Sequence, residues 1–189
     1  SFKKNGRGTL TFPNEDKCQG SWVDGNMESK VKIKYAKKNR EDEYEGEIDT
    51  KTFQRHGKGV LKWKDDVYEG EWKDGKRDGW GVMKYAKHGD TFSGTWKKDM
   101  REGRGCIVLK NGDRIEGIWV KDEMLPEVVI IYANKSEYQG KINKRTLKRH
   151  GEGTLKCPNG NIYFGNWNEG MGNGKGVFTG EVIFQDGSL

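Results

Sequence analysis

The stretch Tyr68–Trp72 reads Tyr-Glu-Gly-Glu-Trp and is followed by Asp74-Gly75 and then by the triplet Gly79-Trp80-Gly81. Successive side chains of a β-strand point to opposite faces of a sheet, so the two aromatic residues and the glycine between them share one face. Asp-Gly is a strong turn signal, and the residues after the triplet alternate between apolar and polar. The stretch therefore predicts a β-hairpin whose one face is aromatic and contains glycine.

The same pattern recurs along the chain. Full copies begin at Phe92 and Tyr163, a half copy opens the chain, and the last copy extends to Asp186-Gly187. We predict a single array over residues 1–189 of about seven hairpins plus a half unit, because stacked repeats are stable only beside their neighbours. Both ends lie within the pattern, so further repeats or another domain are expected to flank it. The units start near residues 18, 44, 68, 92, 115, 138 and 163.

Glycine inside a strand normally weakens it, and this chain has 28 glycines and only 3 prolines. A glycine on the aromatic face leaves room for a flat ring to lie over bare backbone, which offsets that cost. The 21 aromatic residues (7 Trp, 7 Tyr and 7 Phe) also argue against a disordered chain. The aromatic residues predicted to pack on this face or to line a groove are Trp22, Tyr44, Tyr68, Trp72, Phe92, Trp96, Trp119, Tyr138, Tyr163 and Trp167.

The segments Tyr68–Gly81, Phe92–Gly105 and Tyr163–Gly176 resemble the MORN repeat (membrane occupation and recognition nexus), and the resemblance covers essentially the whole chain. It implies an all-β fold: an elongated, single twisted antiparallel sheet of stacked hairpins with a groove. It also implies a non-catalytic scaffold for protein–protein interactions in a cytoskeletal or ciliary, radial-spoke-like assembly. The expected location is cytoplasmic, at the cytoskeleton, cilium or flagellum.

Two other functions remain open from the resemblance. One is a module that binds phosphoinositides or anionic membranes, and the other is an accessory repeat domain beside a lipid kinase or a SET-type enzyme. The partners expected from the leading hypothesis are other proteins, either as a helical or extended segment in the groove or through self-association.

The irregular copies also form a pattern. Two copies lack the Gly-x-Gly triplet, and the copy after each of them has isoleucine, at Ile48 and Ile142, in place of tryptophan. The matching irregular copies are spaced by 97 and 94 residues. This recurrence predicts an internal duplication whose unit is four hairpins, with residues 1–91 resembling residues 98–189.

No arrangement of residues predicts catalysis, a metal site or a cofactor. The Gly-x-Gly triplets are not followed by a helix whose N-terminus could hold a phosphate. Three scattered cysteines without CxxC spacing argue against a disulfide framework and a zinc site, and favour a reducing compartment. The longest apolar run, Val128–Ile131, is too short to span a bilayer. We therefore predict a protein that is neither an enzyme nor transmembrane.

The formal net charge is +6, and most charges alternate in sign along the chain. Such mixing is typical of a solvated surface, but several basic turns could also meet an anionic lipid. Nucleic acid is disfavoured because the aromatic residues are needed for packing. The anion-binding candidates are Lys37, Lys38, Arg40, Arg55, Lys97, Lys98, Arg101, Lys148 and Arg149.

One strand is apolar on both faces. Val128 and Ile130 point one way, whereas Val129 and Ile131 point the other. The corresponding strand of the first half has Lys32 on that second face. We therefore predict that Val129 and Ile131 contact a partner, with coverage by a neighbouring loop as the alternative.

Overall fold

The computed structural model describes residues 3–37 and 40–180, without the side chains of Lys37, Arg40 and Glu41. The chain forms two compact units, Ser1–Gly105 and Cys106–Leu189, which we call unit 1 and unit 2. In the described ranges all regular structure is β-strand. Nothing in these ranges is a helix of the length and apolar character that crossing a membrane requires.

Unit 1 contains strands β1 to β9 and most of β10, and the boundary between the units falls within β10. The bounds in chain order are β1 Gly6–Thr11, β2 Lys17–Val23, β3 Asn26–Met27, β4 Lys30–Lys37, β5 Arg40–Ile48, β6 Arg55–Trp63, β7 Asp66–Lys73, β8 Lys76–Tyr85, β9 Asp90–Lys97 and β10 Met100–Val108. In unit 2 they are β11 Arg114–Val120, β12 Glu123–Met124, β13 Glu127–Ile131, β14 Glu137–Ile142, β15 Arg149–Lys156, β16 Ile162–Asn168 and β17 Met171–Thr179.

Strand pairing follows the predicted hairpins. In unit 1, Gly59 of β6 lies opposite Gly70 of β7, which lies opposite Gly81 of β8. On the same face Tyr68 is fully buried and Trp72 is 3% exposed. The predicted all-β class, with antiparallel hairpins stacked side by side, is confirmed.

The turn Asp74-Gly75 joins β7 to β8. Both residues have positive φ, 50° and 78°, as the tight hairpin turns that match strand twist require. Asp-Gly is favoured there because glycine adopts this conformation without strain and aspartate tolerates it. The turn therefore sets the pairing of Lys73 with Lys76 and of Trp72 with Arg77 at this end of the hairpin.

Gly79 does not lie on the aromatic face, although strict alternation along β8 predicts that it shares that face with Gly81. The pairing of β7 with β8 shifts register between Gly70 and Trp72, and Gly79 has a φ of +109° at that bulge. A Cβ atom on Gly79 would collide with the side chain of Glu71, on the other face. The first glycine of the triplet thus permits a bulge, and only the second leaves room for a ring.

Candidate interaction surfaces

We call the face that carries Tyr68 in unit 1 and Tyr138 in unit 2 the packed face of each unit, and the opposite face the open face. On the packed face the tyrosine ring lies over the two glycines beside it. A Cβ atom on Gly81 would lie 2.5 Å from Cζ and 2.6 Å from Cε2 of Tyr68. The Tyr68 hydroxyl donates a hydrogen bond to the Glu71 carbonyl oxygen at 3.1 Å. The glycines thus create the site that the ring fills.

The tryptophans link consecutive hairpins on the packed face. The indole Nε1 of Trp72 donates to the Gly59 carbonyl at 3.0 Å, and that of Trp167 donates to the Gly153 carbonyl at the same distance. The ring of Tyr68 meets Trp72 edge-on at a centroid distance of 5.0 Å. In each unit a backbone carbonyl of one hairpin therefore accepts a hydrogen bond from the indole N–H of the next hairpin. Within the unit the rings form a ladder.

An arginine covers the outer side of this ladder in each unit. The guanidinium carbon of Arg55 lies 4.2 Å from the Trp72 ring centroid, and its Nη2 donates to the Gly75 carbonyl at 2.7 Å. Arg149 lies 4.1 Å from the Trp167 ring centroid and donates to the Gly170 carbonyl at 2.6 Å. Each guanidinium thus stacks on an indole and closes the following turn.

Burial also changes the acidity of the tyrosines. It raises the pKa of Tyr138 to about 12, and the neighbouring Tyr132 adds to that effect. Burial likewise raises the pKa of Tyr44 and Tyr68. These phenols therefore remain neutral hydrogen-bond donors at physiological pH.

The ten predicted aromatic residues all lie on the packed faces. Trp22 and Tyr163 are partly exposed, and the other eight are buried. Their contacts include one another, glycine backbone and arginine, and the hydroxyls of Tyr44, Tyr68 and Tyr138 donate to the carbonyl three residues later. A contact of these residues with a partner stays a prediction.

The anion-binding candidates divide into three groups. Arg55 and Arg149 stack on tryptophan, and the guanidinium carbon of Arg101 lies 5.5 Å from the Phe92 ring centroid. Lys98 and Lys148 are exposed, and the exposed Lys97 lies 3.2 Å from the Asp78 carboxylate. Lys38 lies outside the described residues, as do the side chains of Lys37 and Arg40.

Val129 and Ile131 lie on the open face of unit 2, as their alternation predicts, and both are partly exposed. Val129 pairs with Glu116 on one side and with Gln139 on the other. The same cross-strand row continues to Phe164, which is 53% exposed. Their role as a partner site stays a prediction.

The open face of unit 1 contains a groove of about 1380 Å³. It extends across the strands from Arg7 to Val82, and none of the ten predicted aromatic residues lines it. Its walls carry charged side chains from β4 to β7 and the indole of Trp80, which is 54% exposed. Among the described residues, no group of three or more His, Cys, Asp or Glu could hold a metal ion.

Trp80 and the stacking arginines are the features that the sequence interpretation missed. Trp80 occupies the middle of a Gly-x-Gly triplet, where the triplets at 6–8, 57–59, 103–105, 151–153 and 174–176 have a charged residue. The arginines stand two residues before the triplet at positions 55, 77, 101 and 149. This recurrence could have identified them, but it was interpreted only as basic turns.

The sequences of these hairpins match a known family of repeats. The sequence model of the MORN repeat matches residues 3–17, 54–66, 68–89, 92–114, 148–162 and 163–181. The matches cover more than half of the chain, which therefore belongs to the MORN-repeat family. Repeats of this family are interaction modules for proteins or membranes and are generally non-catalytic.

Solved structures give weaker similarities. The G-box domain of the microcephaly protein CPAP is 13% identical with a TM-score of 0.49, covering 94% of this chain and 100% of that chain. The TCP10 domain of Danio rerio CPAP, in complex with a peptide of Danio rerio STIL, is 14% identical with a TM-score of 0.37, covering 88% and 82%. No curated protein matches the chain.

Proposed function

We propose that the chain is a non-catalytic scaffold whose open faces bind other proteins in a larger cytoskeletal or ciliary, radial-spoke-like assembly. The observation that carries the proposal is the contrast between the two faces of unit 1. On the packed face the Tyr68 hydroxyl and the Trp72 indole are hydrogen-bonded within the chain, whereas the open face has a groove with an exposed tryptophan. Exposed tryptophan is enriched among residues that dominate protein interfaces.

A photo-crosslinking experiment tests this function. We expect the photoreactive amino acid p-benzoylphenylalanine at Trp80 to form adducts with discrete proteins in cells, because that position faces the groove. The control places the same amino acid at Asn159, an exposed turn residue of unit 2. Absence of protein adducts at Trp80, or the same adducts at both positions, would contradict the scaffold function.

The same experiment extends to unit 2. With the crosslinker at Val129, we expect protein adducts that differ from those at Trp80, since the open face there carries exposed apolar side chains in place of the carboxylates. Phe164 and Val177, in the same cross-strand row, are 53% and 61% exposed. Their exposure supports Val129 and Ile131 as a second partner surface.

The proposal includes the internal duplication of four hairpins. The hydroxyls of Tyr44 and Tyr138 both donate to the carbonyl three residues later at 2.6 Å. The amides of Ile48 and Ile142 donate at 2.9 Å to Ser29 and Pro126. The two long gaps between the MORN matches, residues 18–53 and 115–147, contain the two sets of irregular copies. These parallels support two related units whose open faces differ in chemistry.

A second candidate function is binding to an anionic membrane. It is favoured by a separate observation, a cross-strand row of lysines on the open face of unit 1. Lys17 pairs with Lys34, and the row continues through Glu43 to Lys62 and through Val67 to Lys84. At about 4.8 Å between strands, the row extends about 24 Å. A row of this kind fits an anionic membrane surface.

Binding to lipid vesicles tests the membrane-binding function. For vesicles of equal parts phosphatidylcholine and phosphatidylserine at low salt, we expect the triple variant Lys34→Gln, Lys62→Gln, Lys84→Gln to lose affinity by about a hundredfold, at about 1 kcal/mol per lysine. The matched control is Lys51→Gln, Lys76→Gln, Lys135→Gln, which removes the same charge from exposed positions outside the row. Equal losses in both variants would show nonspecific attraction only.

A further inference from the structure

The half of the unit 1 groove that lies over β5 to β8 is acidic. Glu45 lies opposite Val60, which lies opposite Glu69 in the same cross-strand row. In the neighbouring row Glu71 lies opposite Lys58, and Glu47 also lines the groove. Four carboxylates thus face the groove in this half, with Lys58 as a cation among them.

This negative charge is only partly offset by the cations that the structure describes, since Lys32 interacts electrostatically with Glu45 without pairing to it. Lys32 lines the groove beside Glu45 but forms its ion pair, at 2.7 Å, with Glu43. Among the described residues, Glu45 and Glu69 form no salt bridge. The Glu71 carboxylate has a different role, since it accepts a hydrogen bond from the Trp80 amide at 3.3 Å.

The acidic half also has an apolar component. Val60 and Val82 lie on either side of Glu69 in the cross-strand row, and both line the groove. The Trp80 indole stands at the end of the groove and is 54% exposed. A partner that fits this surface needs positive charge for the carboxylates and an apolar side chain for the valines and the indole.

The open face of unit 2 does not repeat this chemistry, although its hairpins pair in the same register. At the positions that correspond to Glu45, Glu47, Glu69 and Glu71, unit 2 has Gln139, Lys141, Phe164 and Asn166. The acidic character is therefore a property of these side chains and not a requirement of the repeat.

We infer that the acidic half of the groove binds a short basic segment of a partner protein that carries lysine or arginine beside an aliphatic or aromatic residue. Four strands at about 4.8 Å spacing extend about 14 Å, enough for four extended residues or between two and three helical turns. Charge complementarity selects this occupant, because carboxylates repel an anionic membrane and attract a cationic peptide. The inference rests on the proposed scaffold function.

The test uses a phage library of random dodecapeptides selected on the whole chain. We expect enriched peptides to combine lysine or arginine with an aliphatic or aromatic residue. Their affinity, measured by fluorescence anisotropy, should fall about tenfold for Trp80→Ala and about fivefold for the double variant Glu45→Gln, Glu69→Gln at low salt. The double variant Glu137→Gln, Glu152→Gln in unit 2 is the matched control and should bind like the unaltered chain.

Enrichment of acidic or uncharged peptides, equal binding by the groove variants and the control, or no enrichment would each overturn the inference. Circular dichroism of every variant separates lost binding from lost folding. The outcome is distinct from that of the crosslinking experiment. Protein adducts at Trp80 without basic peptides would overturn this inference alone, whereas no adducts would contradict the scaffold function itself.

Discussion

We expect Gly81→Ala to lower the free energy of unfolding by about 3 kcal/mol, because the new methyl group would occupy the site of the Tyr68 ring. The added Cβ atom would lie 2.5 Å from Cζ of Tyr68, well inside van der Waals contact. The ring is fully buried, and its hydroxyl is hydrogen-bonded to Glu71. Any shift that relieves the clash would also disturb the contacts of Trp96, whose indole donates to the Gly81 carbonyl at 3.3 Å.

The matched control is Gly117→Ala on the packed face of unit 2. Its added Cβ atom would meet Val128 Cγ1 at 3.3 Å and Met124 Cγ at 3.5 Å, so Val128 would have to move by only a few tenths of an ångström. Ile115 stands there at the aromatic position, so no ring needs the space. We expect a cost below about 1 kcal/mol for this variant. Urea unfolding followed by circular dichroism measures both, and equal losses would show that the Tyr68 ring moves aside at little cost.

The sequence allowed the packed face to be predicted because its rule is local. In Tyr68–Trp72 the two-residue period of a strand places the rings and Gly70 together, and the Asp74-Gly75 turn indicates the hairpin that β7 forms with β8. The same alternation correctly assigned Val129 to the other face. Predictions of this kind depend only on neighbours along one hairpin.

The bulge at Gly79 and the groove could not be predicted in that way. A strict alternation assigns Gly79 to the packed face, and only the register shift opposite Glu71 shows that it does not lie there. The chemistry of the groove depends on side chains from strands distant in sequence, such as Glu45 and Val82. Their proximity depends on the stacking of successive hairpins, which no single copy of the pattern encodes.

The stacking arginines lead to the second large effect. Arg77 is the example with most contacts, since its guanidinium carbon lies 4.2 Å from the Trp96 ring centroid. Its Nη2 donates to the Asp99 carbonyl at 2.8 Å, and its Nε donates to the Asp99 carboxylate at 3.1 Å. The side chain is 21% exposed, so these bonds are only partly screened by water. Arg77 of β8 thus contacts both the Trp96 ring and the Asp99 turn of the next hairpin.

We expect Arg77→Met to lower the free energy of unfolding by about 2 kcal/mol, as a charged hydrogen bond and a cation–π contact are lost together. Arg77→Lys should recover little of this loss, because an ammonium group cannot stack on the Trp96 ring and bond to Asp99 in the same geometry. Arg104→Met makes the same chemical change at an exposed position of β10 and should cost less than about 0.5 kcal/mol.

A double-mutant cycle separates the ring contact from the hydrogen bonds. Combining Arg77→Met with Trp96→Phe should give a coupling free energy of about 1 kcal/mol, because the indole is the better partner for the cation. Additive losses would mean that Arg77 acts through Asp99 alone. The arginine would then close the turn without linking the hairpins, and the recurrence of arginine two residues before the triplets at 55, 77, 101 and 149 would need an explanation other than stacking.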